Sequence, residues 1–353
     1  MTGFFLAWAL TTGDIQTKSW MQEQINTSVA HFPKLPEVAV QRTYKQISRI
    51  LHGKHCPVAL IKIQNGKVTW EAPKHLEDDY QSKLTIFSRC LHLLHEHKAL
   101  PNCRFILWLD QNSDRPAYLR NIHVPIFATT KPANAKNILL LPKGIFLPMR
   151  TELFKKTEVA CASIPWEKRD QAILWHVHPL KNEFHYMDWE FQSPVRFVLL
   201  AHYNPKDILI NLCVPKGRVH WSLYNLANKL KVPFTKDTVT ERFGHRYVLA
   251  CDQMGTCHDI EWQLLSGSAV FKTPTHLREW CDSLLKPYIH YLPISSHGED
   301  LMDRLSWARE HDEKMQRIAN NAKQFAKEHY SDAAMFSYLH AALSAYASRM
   351  KMH

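Results

Sequence analysis

The chain has 353 residues, which is long for one hydrophobic core, so two domains of about 150 residues each are expected. A hydrophobic content of 45% with only 10 Gly, and no low-complexity tract, excludes extensive disorder. The formal net charge of +11 contains no run of five or more like charges, which excludes a basic nucleic-acid arm. Such a diffusely basic surface suits phosphate-bearing substrates or an anionic membrane face, and it also serves plain solubility.

The N-terminal half predicts helices that alternate with short buried strands. Apolar periodicity predicts a helix over 15–52, and the Asn65-Gly66 dipeptide between two apolar runs predicts a hairpin of strands at 58–63 and 68–70. An amphipathic helix over 80–98 and strands at 104–109, 124–128 and 137–141 follow. This alternation indicates a parallel sheet and an α/β fold.

A proline-bearing boundary over 142–165 separates the second half. A helix over 166–171 and strands at 172–175, 195–200, 208–214 and 246–251 are predicted there. Asp252 directly follows the last strand, and a carboxylate at the carboxyl end of a parallel strand lies where open α/β sheets bind ligands. The tail predicts three helices: one after a Ser296–Glu299 capping-box spacing, one around 315–325 and one after Ser331.

The cysteines and the termini bear on the compartment. The eight cysteines lack the paired spacing of a zinc site or of a small disulfide framework, so reduced thiols are expected. Residues 1–14 contain a short apolar run without the basic start or cleavage site of a signal peptide, and the C-terminus carries no ER-retention tetrapeptide. We therefore expect a cytoplasmic protein with, at most, a peripheral contact with the inner membrane.

One segment carries most of the functional signal. Residues 264–272 read Leu-Leu-Ser-Gly-Ser-Ala-Val-Phe-Lys, and residues 285–293 read Leu-Lys-Pro-Tyr-Ile-His-Tyr-Leu-Pro. Small residues between a helix end and a strand allow a ligand to approach the backbone and can leave N–H groups for an anion. Residues 245–330 resemble glycosyltransferase family 90. The shared order of features is Asp252, this turn, Glu279-Trp280, the aromatic segment 285–293 and a long polar helix.

The resemblance implies an α/β fold of the GT-B type, with two Rossmann-like domains facing a cleft and a helical C-terminal tail. It divides the chain into an acceptor-side domain (1–150), a nucleotide-sugar domain (151–310) and helices that pack back across the domains (311–353). It also implies an inverting enzyme that moves a hexose or pentose from a UDP-linked sugar to a glycan or lipopolysaccharide-like acceptor. No DxD motif occurs, which fits a reaction without metal or cofactor.

The resemblance also suggests site residues. The base that deprotonates the acceptor hydroxyl is Asp114, which precedes Arg-Pro, or Asp110, which is nearer the strand end; either carboxylate could instead only shape a turn. Glu279 would lie at a helix start and hold a ribose or hexose hydroxyl, unless it is an ordinary surface residue. The Ser-Gly-Ser turn could equally be a tight connection that binds nothing. The donor-site candidates are Asp252, Ser266, Gly267, Ser268, Lys272 and Glu279.

Two departures from the family pattern keep a second function open. Where the family shows an arginine-containing turn, this chain has His176 and His178, and where the family has a diphosphate-binding arginine it has Ile260. His176, His178, His258 or Lys272 could partly replace these cations. The alternative is a catalytically inactive relative that binds a glycan or a protein. The histidine-rich segment over 92–97 does not place three ligands on one helix face, so we expect no metal site.

Overall fold

The fold is described from a computed structural model of the chain. The described residues are 17–51, 56–74, 76–110, 122–146, 150–177, 189–212, 222–235, 238–252, 256–257 and 259–351. They form two compact units. The first draws on Met1–Thr151, His276–Trp280 and Tyr330–His353, and the second on Glu152–Thr275 and Cys281–His329. The functional domains predicted from the sequence resemblance stay a prediction.

The first unit combines a five-stranded sheet with helices. Its helices are α1 (Ser19–Ala30), α2 (Glu37–Ile50), α3 (Asp78–His97) and α11 (Asp332–Ala347), with a 3₁₀ turn at Lys143–Phe146. Its strands are β1 (Leu35–Pro36), β2 (Val58–Gln64), β3 (Lys67–Glu71), β4 (Cys103–Trp108), β5 (Ile126–Ala128), β6 (Lys131–Pro132), β7 (Ile138–Leu140), β13 (Leu277–Arg278) and β15 (Met350–Lys351). The sheet order is β3-β2-β4-β5-β7; β2 pairs antiparallel with both of its neighbours, and the pairs β4–β5 and β5–β7 are parallel.

The predicted hairpin is confirmed, and its turn explains why. Asn65 and Gly66 both have positive φ, at 51° and 77°. A two-residue turn with positive φ at both positions matches the right-handed twist of the strands that it joins, and Asn-Gly is the dipeptide that adopts it most readily. The turn therefore fixes the register of β2 on β3, in which Gln64 pairs with Lys67.

The long N-terminal helix predicted over 15–52 is instead two helices. α1 ends at Ala30, and Pro33 and Pro36 precede α2, which begins at Glu37. Proline disfavours helical backbone in the residue before it, so the two prolines break the helix although the apolar spacing continues. The segment between the helices contains β1, which pairs in parallel with β15.

The second unit is built on a six-stranded parallel sheet. Its strands are β8 (Asp170–Val177), β9 (Ile208–Leu212), β10 (Phe234–Thr235), β11 (His245–Ala250), β12 (Ala269–Lys272) and β14 (Leu292–Pro293), in the order β10-β9-β8-β11-β12-β14. Its helices are α4 (Arg150–Ser163), α5 (Trp189–Tyr203), α6 (Ser222–Lys229), α7 (Val239–Phe243), α8 (Ile260–Leu265), α9 (Leu301–Glu310) and α10 (Asp312–His329), with 3₁₀ turns at Trp166–Lys168 and Asp282–Leu284. The predicted mixed α/β class with parallel strands is thus confirmed.

One predicted strand is wrong. The apolar run 195–200 lies within α5, which contains Pro194. Short apolar runs do not distinguish a buried strand from a buried helix, because both lack exposed polar positions. On α5, Phe197, Val198 and Ala201 are buried at helical spacing and join the core of the second unit.

The two faces of the six-stranded sheet pack against different helices. Alternate residues of the central strands, among them Trp175, Leu249 and Phe271, pack with α5, α9 and α10 on one face. Because successive side chains in a strand point to opposite faces, the intervening residues face the other side, where α4, α7 and α8 contribute a smaller cluster.

The predicted tail helices are present. Ser331 caps α11, because its Oγ accepts a hydrogen bond from the Ala334 N–H at 3.2 Å. Among the described residues, no helix is both long enough and apolar enough to cross a bilayer. The cysteines of the described residues are buried and form no disulfide with one another.

Candidate functional site

The carboxyl edge of the six-stranded sheet contains a topological switch point. From β8 the chain moves outward to β9 and then β10, and it returns to place β11 on the other side of β8. In open parallel sheets, ligands bind outside the carboxyl ends of the strands at such a reversal. Here those ends carry His176 on β8, Asp252 beyond β11 and Lys272 at the end of β12.

The register brings His176 and Lys272 onto one face. Val248 pairs with Leu174 and Ala250 pairs with Lys272, so Ala250 lies between His176 and Lys272 in the row. Two strand spacings separate the outer members, about 10 Å between their Cα atoms. The intervening Ala250 is 1% exposed and its side chain is small, so it adds no polar group between the two.

The two carboxylate oxygens of Asp252 differ in their surroundings. Its Oδ1 accepts a hydrogen bond from the Cys257 N–H at 3.0 Å, whereas its Oδ2 is buried and has no partner among the described residues. Burial raises the pKa of the carboxyl group, and the Lys272 charge and a hydrogen bond from Thr275 oppose that rise. A buried carboxylate oxygen without a donor is a ready acceptor for a ligand hydroxyl.

Lys272 supplies a cation close to that carboxylate. Its Nζ donates a hydrogen bond to the carbonyl oxygen of Thr273 at 3.3 Å and lies 5.9 Å from the centre of the Tyr291 ring. The side chain is half-buried. An ammonium group whose only recorded hydrogen bond is to the adjacent backbone keeps donors for an anionic ligand.

His176 is part of a buried network rather than a free side chain. Its Nδ1 lies 2.8 Å from Asp259 Oδ2, and the other oxygen of Asp259 accepts a hydrogen bond from Trp262 Nε1 at 2.6 Å. A carboxylate bound to Nδ1 fixes that nitrogen as the N–H donor, so Nε2 is the acceptor. Nε2 lies 3.3 Å from Arg242 Nη2. His176 therefore orients Arg242.

Arg242 is a second cation at this end of the sheet. Its guanidinium carbon lies 5.5 Å from the centre of the Trp262 ring, a cation–π arrangement that holds the side chain in place. The side chain is half-buried, so it retains contact with solvent. Ile260, at the start of the helix that carries Trp262, is 5% exposed. His178 and His258 lie outside the described residues.

The structure does not bring the Ser-Gly-Ser turn (266–268) to Asp252. The turn precedes β12 and Asp252 follows β11, and these strands are parallel neighbours. Ser268 Oγ donates a hydrogen bond to the carbonyl oxygen of His245, the first residue of β11, at 2.7 Å. The turn thus lies at the amino edge of the sheet and Asp252 at the carboxyl edge.

Polar groups of this turn are bonded within the protein. Arg169 Nη1 donates to the carbonyl oxygen of Ser266 and to Ser268 Oγ, both at 3.1 Å, and the Ser268 N–H donates to Ser266 Oγ at 3.0 Å. Gly267 has φ +70°, a conformation that favours glycine. These contacts explain the turn as the junction between α8 and β12. A nucleotide contact at the turn stays a prediction.

Glu279 lies in the first unit and does not begin a helix. It follows β13, which pairs antiparallel with β6. Its Oε1 lies 3.6 Å from Lys143 Nζ, and the two side chains are 3% and 7% exposed. The expectation of a helix start in the nucleotide domain is corrected, because residues 276–280 join the other unit and the carboxylate there is neutralised by a buried lysine.

Of the two candidate bases, only Asp110 can be described. It lies two residues beyond the end of β4 and is half-buried. The carboxyl ends of parallel strands share one edge of a sheet, so Asp110 belongs to the edge that also carries Thr129, after β5, and Lys143, after β7. Asp114 lies outside the described residues.

The sequence analysis missed several of these polar residues. Arg242, Asp259 and Arg169 stand in no recognised motif, and their roles depend on partners far along the chain. Asp259 and Trp262 are three residues apart at the start of a short helix. This spacing is a local signal from which the hydrogen bond between Trp262 Nε1 and Asp259 could have been predicted.

Comparison with known proteins supports the family. Residues 189–353 match the family described as Glycosyl transferase family 90. Protein O-glucosyltransferase 2 of Danio rerio is 31% identical over 105 residues, covering 30% of this chain and 21% of that protein. Protein O-glucosyltransferase 1 of Homo sapiens is 25% identical over 243 residues, covering 64% and 57%. Residues 189–353 are thus similar to glycosyltransferase family 90, as the sequence resemblance indicated.

The matches cover only part of each relative. The chain spans 21% and 57% of the length of these two relatives, less than two thirds of either. A solved glycosyltransferase from Rickettsia africae ESF-5 is 12% identical and covers 66% of each chain, with a TM-score of 0.41. A likeness of that size carries no information on the layout of the fold.

Proposed function

We propose that this protein is a glycosyltransferase that moves a hexose or pentose from a nucleoside diphosphate sugar to a hydroxyl group of a glycan or lipopolysaccharide-like acceptor. The observation that carries this proposal is the carboxyl edge of the six-stranded sheet. Within the family 90 region, a buried carboxylate oxygen without a recorded partner lies beside the cation of Lys272 at a topological switch point.

Each group at that edge has a distinct role toward the donor. Asp252 Oδ2 accepts a hydrogen bond from a ribose or sugar hydroxyl. Lys272 and Arg242 neutralise the diphosphate, which carries two negative charges in the donor and gains a third when its bond to the sugar breaks and the acceptor oxygen takes its place. Charged hydrogen bonds of this kind contribute about 1.5–3 kcal/mol each.

Arg242 supplies a cation in place of the diphosphate-binding arginine that the family has at the position of Ile260. Ile260 is buried at the start of α8, and Arg242 reaches the same short helix by stacking on Trp262. The cation that the family places on this helix is here provided from α7. His176 and Asp259 orient it, which accounts for a buried histidine at the carboxyl end of β8.

Inverting transfer requires a base at the acceptor hydroxyl and a stabilised leaving group. We assign the base to Asp114, with Asp110 as the other candidate, and leaving-group stabilisation to the two cations, without a metal. The donor then belongs to the second unit and the base to the first, as in a GT-B enzyme.

The names of the relatives suggest which substrates to test first. Their names describe glucose transfer to a protein. UDP-glucose is therefore the first donor to test, and a folded protein domain with exposed hydroxyl groups is an acceptor to compare with glycans.

A catalytically inactive relative is the second candidate, and the buried Ile260 is the observation that favours it. If Arg242 does not replace the missing arginine, the site loses charge-assisted bonds to the diphosphate. Such a protein would still fold and could bind a glycan or protein without turnover.

Calorimetric titration with UDP and hydrolysis of a panel of nucleotide sugars separate these outcomes. Asp252→Asn should weaken UDP-sugar binding about 10- to 100-fold, the equivalent of one charged hydrogen bond. Asp303→Asn, an exposed carboxylate on α9, is the matched control and should bind as wild type. Binding without turnover of any donor would favour the inactive relative, and equal affinity of all three proteins would remove Asp252 from the donor site.

The base is tested separately. Asp114→Asn keeps the shape of the side chain and removes proton acceptance, so transfer should fall by about 10²–10⁴-fold while UDP binding persists. The same substitution at Asp110 should have a much smaller effect. If only the Asp110 variant loses transfer, the base assignment moves to Asp110, and if neither does, the base is another residue.

A further inference from the structure

A basic cavity of the first unit has no part in the proposed reaction. Its volume is about 430 Å³, within the range of small-molecule sites, and it lies between α1, α11 and the residue that follows α3. The polar residues that line it include Gln22, Asn26, Lys98, His340, Ser344 and Arg349.

The two helices that line the cavity, α1 and α11, are held together by contacts on their other faces. Gln22 and Asn26 are four residues apart on one face of α1, and His340 and Ser344 are four apart on α11. On other faces, the Trp20 ring stacks on Tyr338, at 6.3 Å between ring centres. This aromatic contact fixes the two helices, so the cavity is part of the folded unit.

The charges that line the cavity are positive. Lys98 and Arg349 line it together with the His340 ring, and no aspartate or glutamate does so within the part of the chain that the structure describes. The Arg349 side chain has no hydrogen bond or ion pair among the described residues. Burial lowers the pKa of His340, and the neighbouring charge of Lys98 lowers it further, as expected where positive charge is concentrated.

Neutral donors complete the lining. Gln22 Nε2 donates to Asn26 Oδ1 at 2.8 Å, which leaves the two N–H groups of Asn26 Nδ2 for another acceptor. His340 Nε2 lies 3.1 Å from the carbonyl oxygen of Ala99 and must donate to it, so Nδ1 of the neutral ring is an acceptor and the donors to an anion are those of the other lining residues. Cations combined with hydroxyl and amide donors suit an anion with several oxygens, because each oxygen accepts more than one hydrogen bond.

We propose that this cavity binds a phosphomonoester group, carried either by a soluble sugar phosphate or by a lipid headgroup. The cavity exceeds the size of a phosphate ion, so it also has room for the group that the phosphate is attached to. This site does not depend on the glycosyltransferase reaction, and its failure would leave the donor site unaffected.

Calorimetric titration of the full chain with glucose 6-phosphate tests the proposal, with uncharged glucose as the ligand control. The double variant Lys98→Gln/Arg349→Gln should weaken binding about 10-fold or more, since one charged hydrogen bond corresponds to at least that factor. Lys45→Gln/Arg49→Gln removes the same charge from exposed positions of α2 and should bind within about 2-fold of wild type. Equal weakening in both double variants would show that only net charge matters and would overturn the site.

Flotation with phosphatidylcholine vesicles, with and without phosphatidic acid, distinguishes the two sources of the phosphate. Binding only to vesicles that contain phosphatidic acid, lost in the cavity variant, identifies a headgroup; binding only to glucose 6-phosphate identifies a soluble ligand. A nuclear magnetic resonance titration of wild type keeps the test independent of variant folding, because the His340 ring signals should shift with glucose 6-phosphate or the vesicles. No binding of either probe and no shift would overturn the proposal.

Discussion

The carboxyl edges of the two sheets use their charges differently. In the first unit, Lys143 follows β7 and forms a buried ion pair with Glu279. In the second unit, Asp252 follows β11 and keeps one buried oxygen without a recorded partner, although Lys272 is close enough to affect its pKa. Both edges place a lysine and a carboxylate near strand ends, so residue type alone does not separate them.

The difference lies in whether the charges are already satisfied. A buried ion pair whose hydrogen-bonding groups are already occupied contributes to the fold and offers few groups to a ligand. A buried carboxylate with an oxygen that accepts no hydrogen bond can still accept one from a ligand. The second edge is thus the better candidate for a ligand site, and separate measurements of stability and binding can test the distinction.

The largest effect is expected from breaking the buried pair. Lys143→Met removes the partner of a 3% exposed glutamate, so the free energy of unfolding should fall by about 3–5 kcal/mol. Chemical denaturation of the variant measures the loss. Adding Glu279→Gln should restore part of it, because the uncompensated charge is gone. A double variant as unstable as the sum of the single losses would show that the two groups do not interact.

The matched substitution on the other edge should separate binding from stability. Lys272→Met removes a half-buried cation that lowers the pKa of Asp252 but forms no ion pair with it within 4 Å, so the free energy of unfolding should fall by less than in Lys143→Met. UDP affinity should fall by about 1.5–3 kcal/mol, or 10- to 100-fold. Titration calorimetry together with denaturation gives both quantities. Loss of stability with unchanged affinity would place Lys272 in the same structural class as Lys143.

A third substitution tests the amino edge of the second sheet. Gly267→Ala places a Cβ no closer than 3.6 Å to any neighbouring atom, but it requires alanine at φ +70°. The left-handed conformation should therefore cost about 1–2 kcal/mol of stability. UDP affinity should stay the same if the turn is only a junction. A folded variant with weaker UDP binding would support the predicted donor contact.

The smallest effect concerns the stability of Asp252 variants without ligand. Burial raises the pKa of Asp252 in the folded state, so ionisation is more costly in the folded than in the unfolded chain. Its contribution to stability therefore falls as pH rises from the ordinary carboxyl pKa through the raised value. Asp252→Asn should melt at a slightly higher temperature than wild type at neutral pH, and the difference should disappear in acid. A variant that melts lower at neutral pH would indicate that the carboxylate is fully compensated.

Local signals in the sequence were enough for several elements of the fold. The Asn65-Gly66 turn and the Ser331 cap act through neighbouring backbone groups, so they could be read without knowledge of the rest of the chain. The strand predicted at 195–200 failed because an apolar run satisfies the burial of either a strand or a helix. The helix predicted over 15–52 is two helices because Pro33 and Pro36 interrupt it, although the apolar spacing continues across them.

The candidate site was predictable only in part. Asp252 was predictable because a carboxylate at the carboxyl end of a parallel strand often contacts a ligand, and Lys272 because it closes the segment 264–272 that resembles the family. The separation of Asp252 from the Ser-Gly-Ser turn depends on strand direction, which places a turn before one strand and a loop after another at opposite edges. Arg242 and the Lys143–Glu279 pair depend on contacts between distant segments, which no local pattern encodes.

The composition of the first unit has a consequence for synthesis of the chain. Its core elements come from the beginning and the end of the sequence: β1 pairs with β15, and α11 packs in the same unit as α1. Translation delivers α11 and β15 only after all residues of the second unit have been made. The segments of the first unit that precede the second unit therefore stay without these partners while the ribosome moves through it, and their apolar surface is exposed longer than that of the second unit.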